Sequence, residues 1–240
     1  MENRKTFTFN GISSADYELY ISGDTVYNAP ARVYEMVDIP GRSGQLAIYQ
    51  GRFENISVTY PAFIYADTQT EFAEKMRDLR AWLASPAGYQ RLEDTYHPDE
   101  YRMAIYQEGL DADPAHYNEA GEFDLVFNCK PQRFLKSGET EITLTNPQTL
   151  TNPTPFDALP LITVTGAGSL IINGEEIVIA ENSTKYIDSE IMDCYAIVDG
   201  EAVSKNDKIT LSEFPKLGAS TSISWEGLTS VKIKPRWWTI

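Results

Sequence analysis

Histidine is nearly missing from this chain: His97 and His116 are the only two in 240 residues, and both lie in the first half. A Ser/His or Cys/His nucleophilic site needs an imidazole beside its nucleophile, so the second half cannot carry one. Cysteine is equally scarce. Cys129 and Cys194 stand far apart, with no C-x-x-C knuckle, which excludes a disulfide framework and reads as two buried free thiols from a reducing compartment. There is no P-loop, no G-x-G-x-x-G, no G-x-S-x-G and no H-E-x-x-H. Apolar runs such as Leu161–Val164 fall far below the ~18 residues of a membrane span. Met1-Glu2-Asn3-Arg4-Lys5 carries no apolar signal core. Positive charge is short as well: 20 Lys+Arg against 35 Asp+Glu, a net charge of −15. The deficit is −9 through Phe134 and −6 after it, so neither half holds a basic domain. Phosphate-neutralising nucleic-acid binding is thereby disfavoured, while an acidic surface remains compatible with DNA passing close by.

What is present suffices for a core. Hydrophobic residues make up 42% and aromatics 12%, which is a globular and not a disordered composition. The central stretch is 33–63. Val33–Ile39 and Leu46–Gln50 read as two strands around Pro40-Gly41-Arg42-Ser43-Gly44, where Pro fixes φ and Gly permits positive φ. Phe53–Tyr60 alternates as a further strand. So long a hairpin either lies on its own sheet or reaches a neighbour, where its edges become subunit contacts.

Before the arm, Thr6–Phe9 alternates as a strand, Ile12–Asp16 reads as a polar turn and Glu18–Ile21 as a short strand. After it, Gln69–Ser85 is the one helix. Thr68 and Glu71 are spaced as a capping box, and Phe72, Met76, Leu79 and Leu83 form an apolar stripe. Glu74, Lys75, Arg77, Asp78 and Arg80 make its solvated face, and Pro86 ends it. Residues 88–107 read as strand, turn and strand, 109–121 as a loop, and Glu122–Cys129 as a strand. Between 136 and 160, Pro147, Pro153, Pro155 and Pro160 mark a connector, with Thr140–Leu144 as a short strand. This places a domain boundary near 137, giving 1–137 and 138–240. From 161 on, short strands surround Asn173-Gly174 and Asp199-Gly200, the strongest short hairpin signals. The set is Leu161–Thr165, Ser169–Asn173, Glu175–Ala180, Tyr195–Val198, Ala202–Val203, Lys208–Leu211, Thr221–Trp225 and Thr229–Lys234. Strands at this spacing without a helix predict a β-sandwich. The fold class is mainly β with one helix.

Two acidic groups can be read as metal ligands: Glu93, Asp94, His97, Asp99 and Glu100, and Asp111, Asp113, His116, Glu119 and Glu122. Neither offers a second histidine in its stretch, and both read better as solvated turns, so no metal or other cofactor is expected. Trp225, Trp237 and Trp238 could stack on a sugar, or they fill and edge the sandwich core, which is the favoured reading.

Several motifs taken in order resemble one family. They are Phe7-Thr8-Phe9-Asn10-Gly11, Pro40-Gly41-Arg42-Ser43-Gly44 with Gly51, and Trp82-Leu83. Gly88-Tyr89-Gln90-Arg91-Leu92-Glu93-Asp94, Pro98-Asp99-Glu100-Tyr101-Arg102 and Phe127-Asn128-Cys129-Lys130-Pro131-Gln132-Arg133-Phe134 follow. Ile187-Asp188-Ser189, Phe214-Pro215, Leu217 and Pro235-Arg236-Trp237-Trp238 complete them. Together they resemble the distal tail protein (Dit) family of long-tailed, non-contractile bacteriophages and their prophages. The resemblance implies an N-terminal ring-forming β domain, sandwich-like or tail-tube-like, with a helix and a hairpin arm. It also implies a C-terminal galectin-like β-sandwich projecting outward. Six copies would embrace one another in a ring between the tail tube protein and the tail-tip protein. DNA would pass through without specific binding, and no membrane or cofactor would be involved. The protein would be made in the host cytoplasm and end in the virion tail tip, with no catalytic activity. Under this reading Pro40, Gly41, Arg42, Ser43 and Gly44 lie in the subunit interface, with Arg42 facing an acidic neighbour. The alternative is a carbohydrate-binding adhesin using Trp225, Trp237 and Trp238. A wall hydrolase is a third class.

Overall fold

The computed structural model describes residues 4–23, 28–109, 113–115 and 120–240, with backbone alone for 113–115 and 120. The chain divides into two compact units. One runs through Arg133 and takes in the last residue, and the other is Phe134–Thr239. The architecture is mainly β, as the alternation and turn residues predict.

The strands of the first unit are β1 (Phe7–Phe9), β2 (Ile12–Ser13), β3 (Leu19–Ile21), β4 (Arg32–Asp38), β5 (Gln45–Phe53), β6 (Ile56–Tyr65), β7 (Gln90–Asp94), β8 (Glu100–Tyr106), β9 (Asp113–Ala115) and β10 (Ala120–Leu135). One sheet has the order β2-β1-β7-β8-β10-β6-β3, with β9 also on β10. It curls until its two ends meet, where the Ile21 N–H donates to the Lys5 carbonyl at 2.9 Å. The residues on its concave side are apolar: Phe7, Phe9, Leu19, Tyr60, Ile64, Leu125 and Phe127 are all buried.

Helix α1 (Gln69–Ala84) covers this face with Phe72, Met76, Leu79 and Leu83, the predicted stripe, and with Trp82. Trp82 stacks on Phe7 at 5.8 Å and on Tyr17 at 4.8 Å, while Phe7 stacks in turn on Tyr60 at 5.4 Å. The helix starts where the capping residues put it. Thr68 Oγ1 accepts the Glu71 N–H at 3.2 Å, and the Glu71 carboxylate accepts the N–H of Asp67 at 2.9 Å, one residue before the N-cap. Lys75 departs from the expected solvated face. Its ammonium is half-buried between the carboxylates of Glu71 and Glu18.

The expected turn at Ile12–Asp16 is instead β2 and one 3-10 turn, Ser14–Tyr17, because the Ser14 hydroxyl is buried and accepts the Phe7 N–H at 3.2 Å. Of the loop expected over 109–121, the described part at 113–115 and 120–121 pairs as β9 and β10. The expected strand Glu122–Cys129 is longer, since β10 continues through Lys130-Pro131-Gln132 to Leu135.

The second unit holds β11 (Ile142–Thr143), β12 (Gln148–Thr151), β13 (Leu161–Ile172), β14 (Glu175–Asp188), β15 (Asp193–Val198), β16 (Glu201–Ser204), β17 (Ile209–Thr210), β18 (Ser220–Lys234) and β19 (Trp238–Thr239). One antiparallel sheet runs β11-β18-β13-β14-β15-β16, with β12 on β18 and β17 on β14. The long strands β13, β14 and β18 each replace what reads in sequence as shorter pieces. Register shifts at Gly166–Gly168 divide their pairing into two halves, and side chains from both halves meet in one core. Ile162, Val164, Ile187 and Ile233 come from one half and Leu170, Ile172, Ile179 and Ile223 from the other. At the shift, β13 and β18 approach closely through glycines, Gly168 against Gly227. A Cβ on Gly168 would sit 2.0 Å from the Glu226 carbonyl oxygen. Gln148–Thr151, expected as connector, is a strand because β18 offers it a pairing edge. Both predicted two-residue turns form, with Asn173, Gly174, Asp199 and Gly200 at positive φ.

Candidate functional site

Among the described residues, the two strands of the arm pair in a sheet only with each other. β4 and β5 form a two-stranded sheet of their own, in register from Asp38 opposite Gln45 to Tyr34 opposite Tyr49. At the tip the Arg42 N–H donates to the Ile39 carbonyl at 3.1 Å, closing a turn with Pro40 first and Gly41, φ +78°, second. That pair is what a type II turn requires. Gly44 also takes positive φ, and Ser43 lies exposed beside it. All five residues singled out from the sequence therefore sit at the tip.

The base of the arm is held by polar contacts. The Glu54 N–H donates to the Ala31 carbonyl at 2.9 Å. The Asn55 amide donates to Tyr89 Oη at 2.5 Å and to Asn128 Oδ1 at 2.7 Å, and Asn28 donates to the Ser57 carbonyl at 2.7 Å. Arg32 lies over the rings of Tyr49 and Phe53. From Arg32 to Asp38, six rises of ~3.4 Å carry the tip about 20 Å from this base.

Along the arm, side chains alternate between two faces, and both carry exposed apolar residues, with Asp38 and Gln45 on one face and Glu35, bonded to Gln50, on the other. Tyr34, Met36, Ala47 and Tyr49 share one face, and Val37, Leu46 and Ile48 share the other. Met36 is 52% exposed and Tyr34 47%. A solvated ribbon needs no such side chains, and an isolated hairpin is marginal in water. Exposed apolar side chains on both faces make the ribbon a candidate interaction surface.

The other sequence candidates are spent on structure. The Asp94 carboxylate accepts Tyr60 Oη at 2.8 Å and the N–H groups of Tyr96 and His97 at 2.9 and 2.8 Å, with His97 Nδ1 at 3.1 Å. Glu93 pairs with Arg91, and Glu100 pairs with Arg133 at 3.3 Å. Asp99 is an exposed turn residue. Asp111, His116 and Glu119 lie outside the described residues, as does the side chain of Asp113. Trp237 is 6% exposed and belongs to the second core, Trp225 packs half-buried against it, and Trp238 stacks on Phe156 at 4.5 Å. The three tryptophans thus form no common platform. Burial pushes the thiols of Cys129 and Cys194 up to about 12 and about 11, which keeps both protonated at neutral pH. No described helix is long and apolar enough to cross a membrane.

The exposed arm was visible in the sequence; the exposed apolar residues on both its faces were not singled out there. The signal was present in the alternation of Tyr34, Met36, Leu46 and Ile48 among polar residues.

These features define a two-unit, mainly β protein with a projecting arm, and solved structures share the arrangement. The chain is similar to the SPP1 Dit (gp 19.1) protein, described as a paradigm of the hub adsorption apparatus in phages that infect Gram-positive hosts. That likeness has a TM-score of 0.75 at 13% identity, over 96% of this chain and 98% of that one. It is also similar to chains of the phage P2 baseplate in its activated conformation. The Ca structure gives a TM-score of 0.55 at 8% identity over 97% of both chains, and the Sr structure 0.56 at 7% over 96% of both. No family model matches the sequence, and no curated protein matches it. The fold is that of the Dit hub proteins.

Proposed function

We propose that this protein is a structural hub of a phage tail tip, without catalytic activity. Copies assemble head-to-tail into a closed ring, in which the arm of one embraces the next. A heterologous interface of this kind closes when its rotation divides the circle, and six copies is the expected number. The ring joins the tail tube to the tail-tip apparatus, and its opening lets DNA pass. The first unit forms the ring, and the second is an outward-facing sandwich. The net charge of −15 suits a channel that phosphate-rich DNA crosses without sticking.

The observation that carries this reading is the arm with exposed apolar side chains on both faces, within a fold shared with hub proteins. The test is to image the purified full chain by negative stain and to size it by light scattering, beside a variant lacking residues 38–46. Rings with a central hole that vanish in the deletion are expected. A protein that stays monomeric at every concentration, or rings that survive the deletion, would overturn it.

A further inference from the structure

If arms are covered by neighbours, some surface must receive them. Outside the arm, the first unit exposes only two large apolar side chains among the described residues, Ile12 and Tyr65. Ile12 stands alone on the two-residue strand β2. Tyr65, 55% exposed, ends an aromatic row on the convex side of the sheet. Its ring meets Phe63 edge-on at 5.4 Å, and Phe63 meets Tyr20 at 5.8 Å. Beside this row is a cavity of about 230 Å³ lined by Tyr20, Tyr65 and Ala66 and by the carboxylates of Glu18, Asp67 and Glu71.

The charges around this cavity are unequal. Lys75 is engaged by Glu18 and Glu71, and Arg4 lies over the Tyr20 ring at 4.6 Å. The Asp67 carboxylate has no hydrogen-bond or ion-pair partner among the described residues. With Arg4 and Lys75 counted against Glu18, Asp67 and Glu71, the cavity carries one net negative charge. At the arm tip, Arg42 is the mirror case: its guanidinium is exposed and makes no hydrogen bond or ion pair among the described residues. Arg42 at the tip, beyond Asp38 and the Tyr34/Met36 strip, thus has a counterpart in the unpaired Asp67 beside an aromatic row.

We infer that the cavity beside Tyr65 is the receiving site for the arm of a second copy of this chain. The Pro40–Gly44 tip is seated there, with Arg42 directed at Asp67 and the Met36/Tyr34 face laid along Tyr65, Phe63 and Tyr20. The arm's length permits this, since about 20 Å spans roughly four strand spacings of a neighbour's sheet. Rim charges of this sort steer encounter and fix register more than they add affinity, while the apolar strip supplies the adhesion. The inference rests on the ring reading above and adds to it the place where the arm lands. The competing receiver is the second unit's β15–β16 hairpin, which exposes Ile197, Val198 and Val203.

The test replaces Arg42 with a photo-crosslinking amino acid in the full chain, mixes isotopically labelled and unlabelled protein, and identifies crosslinked peptides by mass spectrometry. The expected crosslink joins residue 42 of one copy to the 62–75 segment of another. A parallel pair of variants, Arg42→Asp and Asp67→Lys, should each raise the assembly concentration about tenfold, and the two together should restore it. Intact rings crosslinked to 193–204 would overturn the inference and leave the ring reading standing. So would a crosslink within one chain. Protein that never assembles would remove both.

Discussion

Tyr60 and Asp94, 34 positions apart, meet across the curled sheet: the buried Tyr60 hydroxyl donates to Asp94 Oδ2 at 2.8 Å, while Asp94 Oδ1 accepts the N–H groups of Tyr96 and His97. One carboxylate therefore satisfies a core tyrosine and shapes the β7–β8 turn. Asp94→Ala removes three acceptances and strands a hydroxyl inside the core, a loss of about 2–4 kcal/mol. Tyr60→Phe removes one donor and leaves the carboxylate its backbone partners, so about 1 kcal/mol is expected. Urea unfolding of the two single variants and the double variant measures the coupling; additive losses would show that the pair does not act as a unit.

The buried protonated groups give an alkaline limit. Burial raises the Cys129 thiol to about 12 and the Cys194 thiol to about 11 from an ordinary 9.0. Burial, and then Asp94, raise Tyr60 well above 10.0. A group with a raised pKa keeps its proton in the folded state after the unfolded chain has lost it. Its stabilisation is whole below the unfolded pKa and is lost as pH rises through the folded one. Stability should thus be flat below pH 9 with respect to these groups and fall above it. The thiol contributions disappear by about 11 and 12, each with a slope of about 1.4 kcal/mol per pH unit. Cys129→Ala should lessen the fall measured between pH 8 and 10.5 by one proton's worth.

In the second unit, Arg236 clamps the buried Asp188 with two hydrogen bonds, at 2.6 and 2.9 Å. Burial alone would raise the Asp188 carboxyl, but the Arg236 hydrogen bonds and charge outweigh it and hold it below the usual range. A depressed carboxyl stabilises above its unfolded pKa of ~3.9 and loses that contribution as pH falls through the folded value. Arg236→Met leaves a buried charge unpaired and should cost about 3 kcal/mol at neutral pH. Adding Asp188→Asn should recover most of it, as read from thermal melts.

The close approach at Gly168 gives the sharpest structural test. Gly168→Ala drives a methyl against the Glu226 carbonyl, which is backbone and cannot swing away. A loss above about 3 kcal/mol, or insoluble protein, is expected. Gly174→Ala meets nothing within 4 Å and pays only for its positive φ of 89°, about 1 kcal/mol. Equal effects in the two variants would show that this approach is not where the sheet is pinned.

Local chemistry made much of this fold legible. The helix was fixed by the spacing of Phe72, Met76, Leu79 and Leu83 with Thr68 before them, and the hairpins by Asn173-Gly174 and Asp199-Gly200. What could not be read was non-local. Thr184–Asp188 has polar residues at alternate positions and one buried lysine, so its place in β14 depends on β13 and β15 pairing with it. Gly166 and Gly168 look like strand breakers in sequence, yet they shift the register within one strand instead of ending two. At the arm, the turn chemistry of Pro40 and Gly41 was plain from residue types. The cavity beside Tyr65 was not, because it brings Arg4, Glu18 and Tyr20 to Asp67 and Glu71 from separate elements.

The arm's exposed apolar side chains supply the last prediction. Met36 and Ile48 stand on opposite faces of the ribbon, and neither is buried in the single chain. Replacing both with glutamate should leave the unfolding of an isolated chain within about 0.5 kcal/mol of its starting value, as for other exposed positions. In the assembly the same two charges would be taken out of water without partners, at several kcal/mol each. Sedimentation of the Met36→Glu, Ile48→Glu variant should therefore show monomer at concentrations where the unmodified protein is fully assembled, with circular dichroism unchanged. The single variants divide the effect. If Met36→Glu alone breaks the assembly and Ile48→Glu does not, the Tyr34/Met36 side is the buried one and the ribbon lies flat on its neighbour. If either alone suffices, the ribbon is gripped on two sides, inserted between copies like a tongue in a groove.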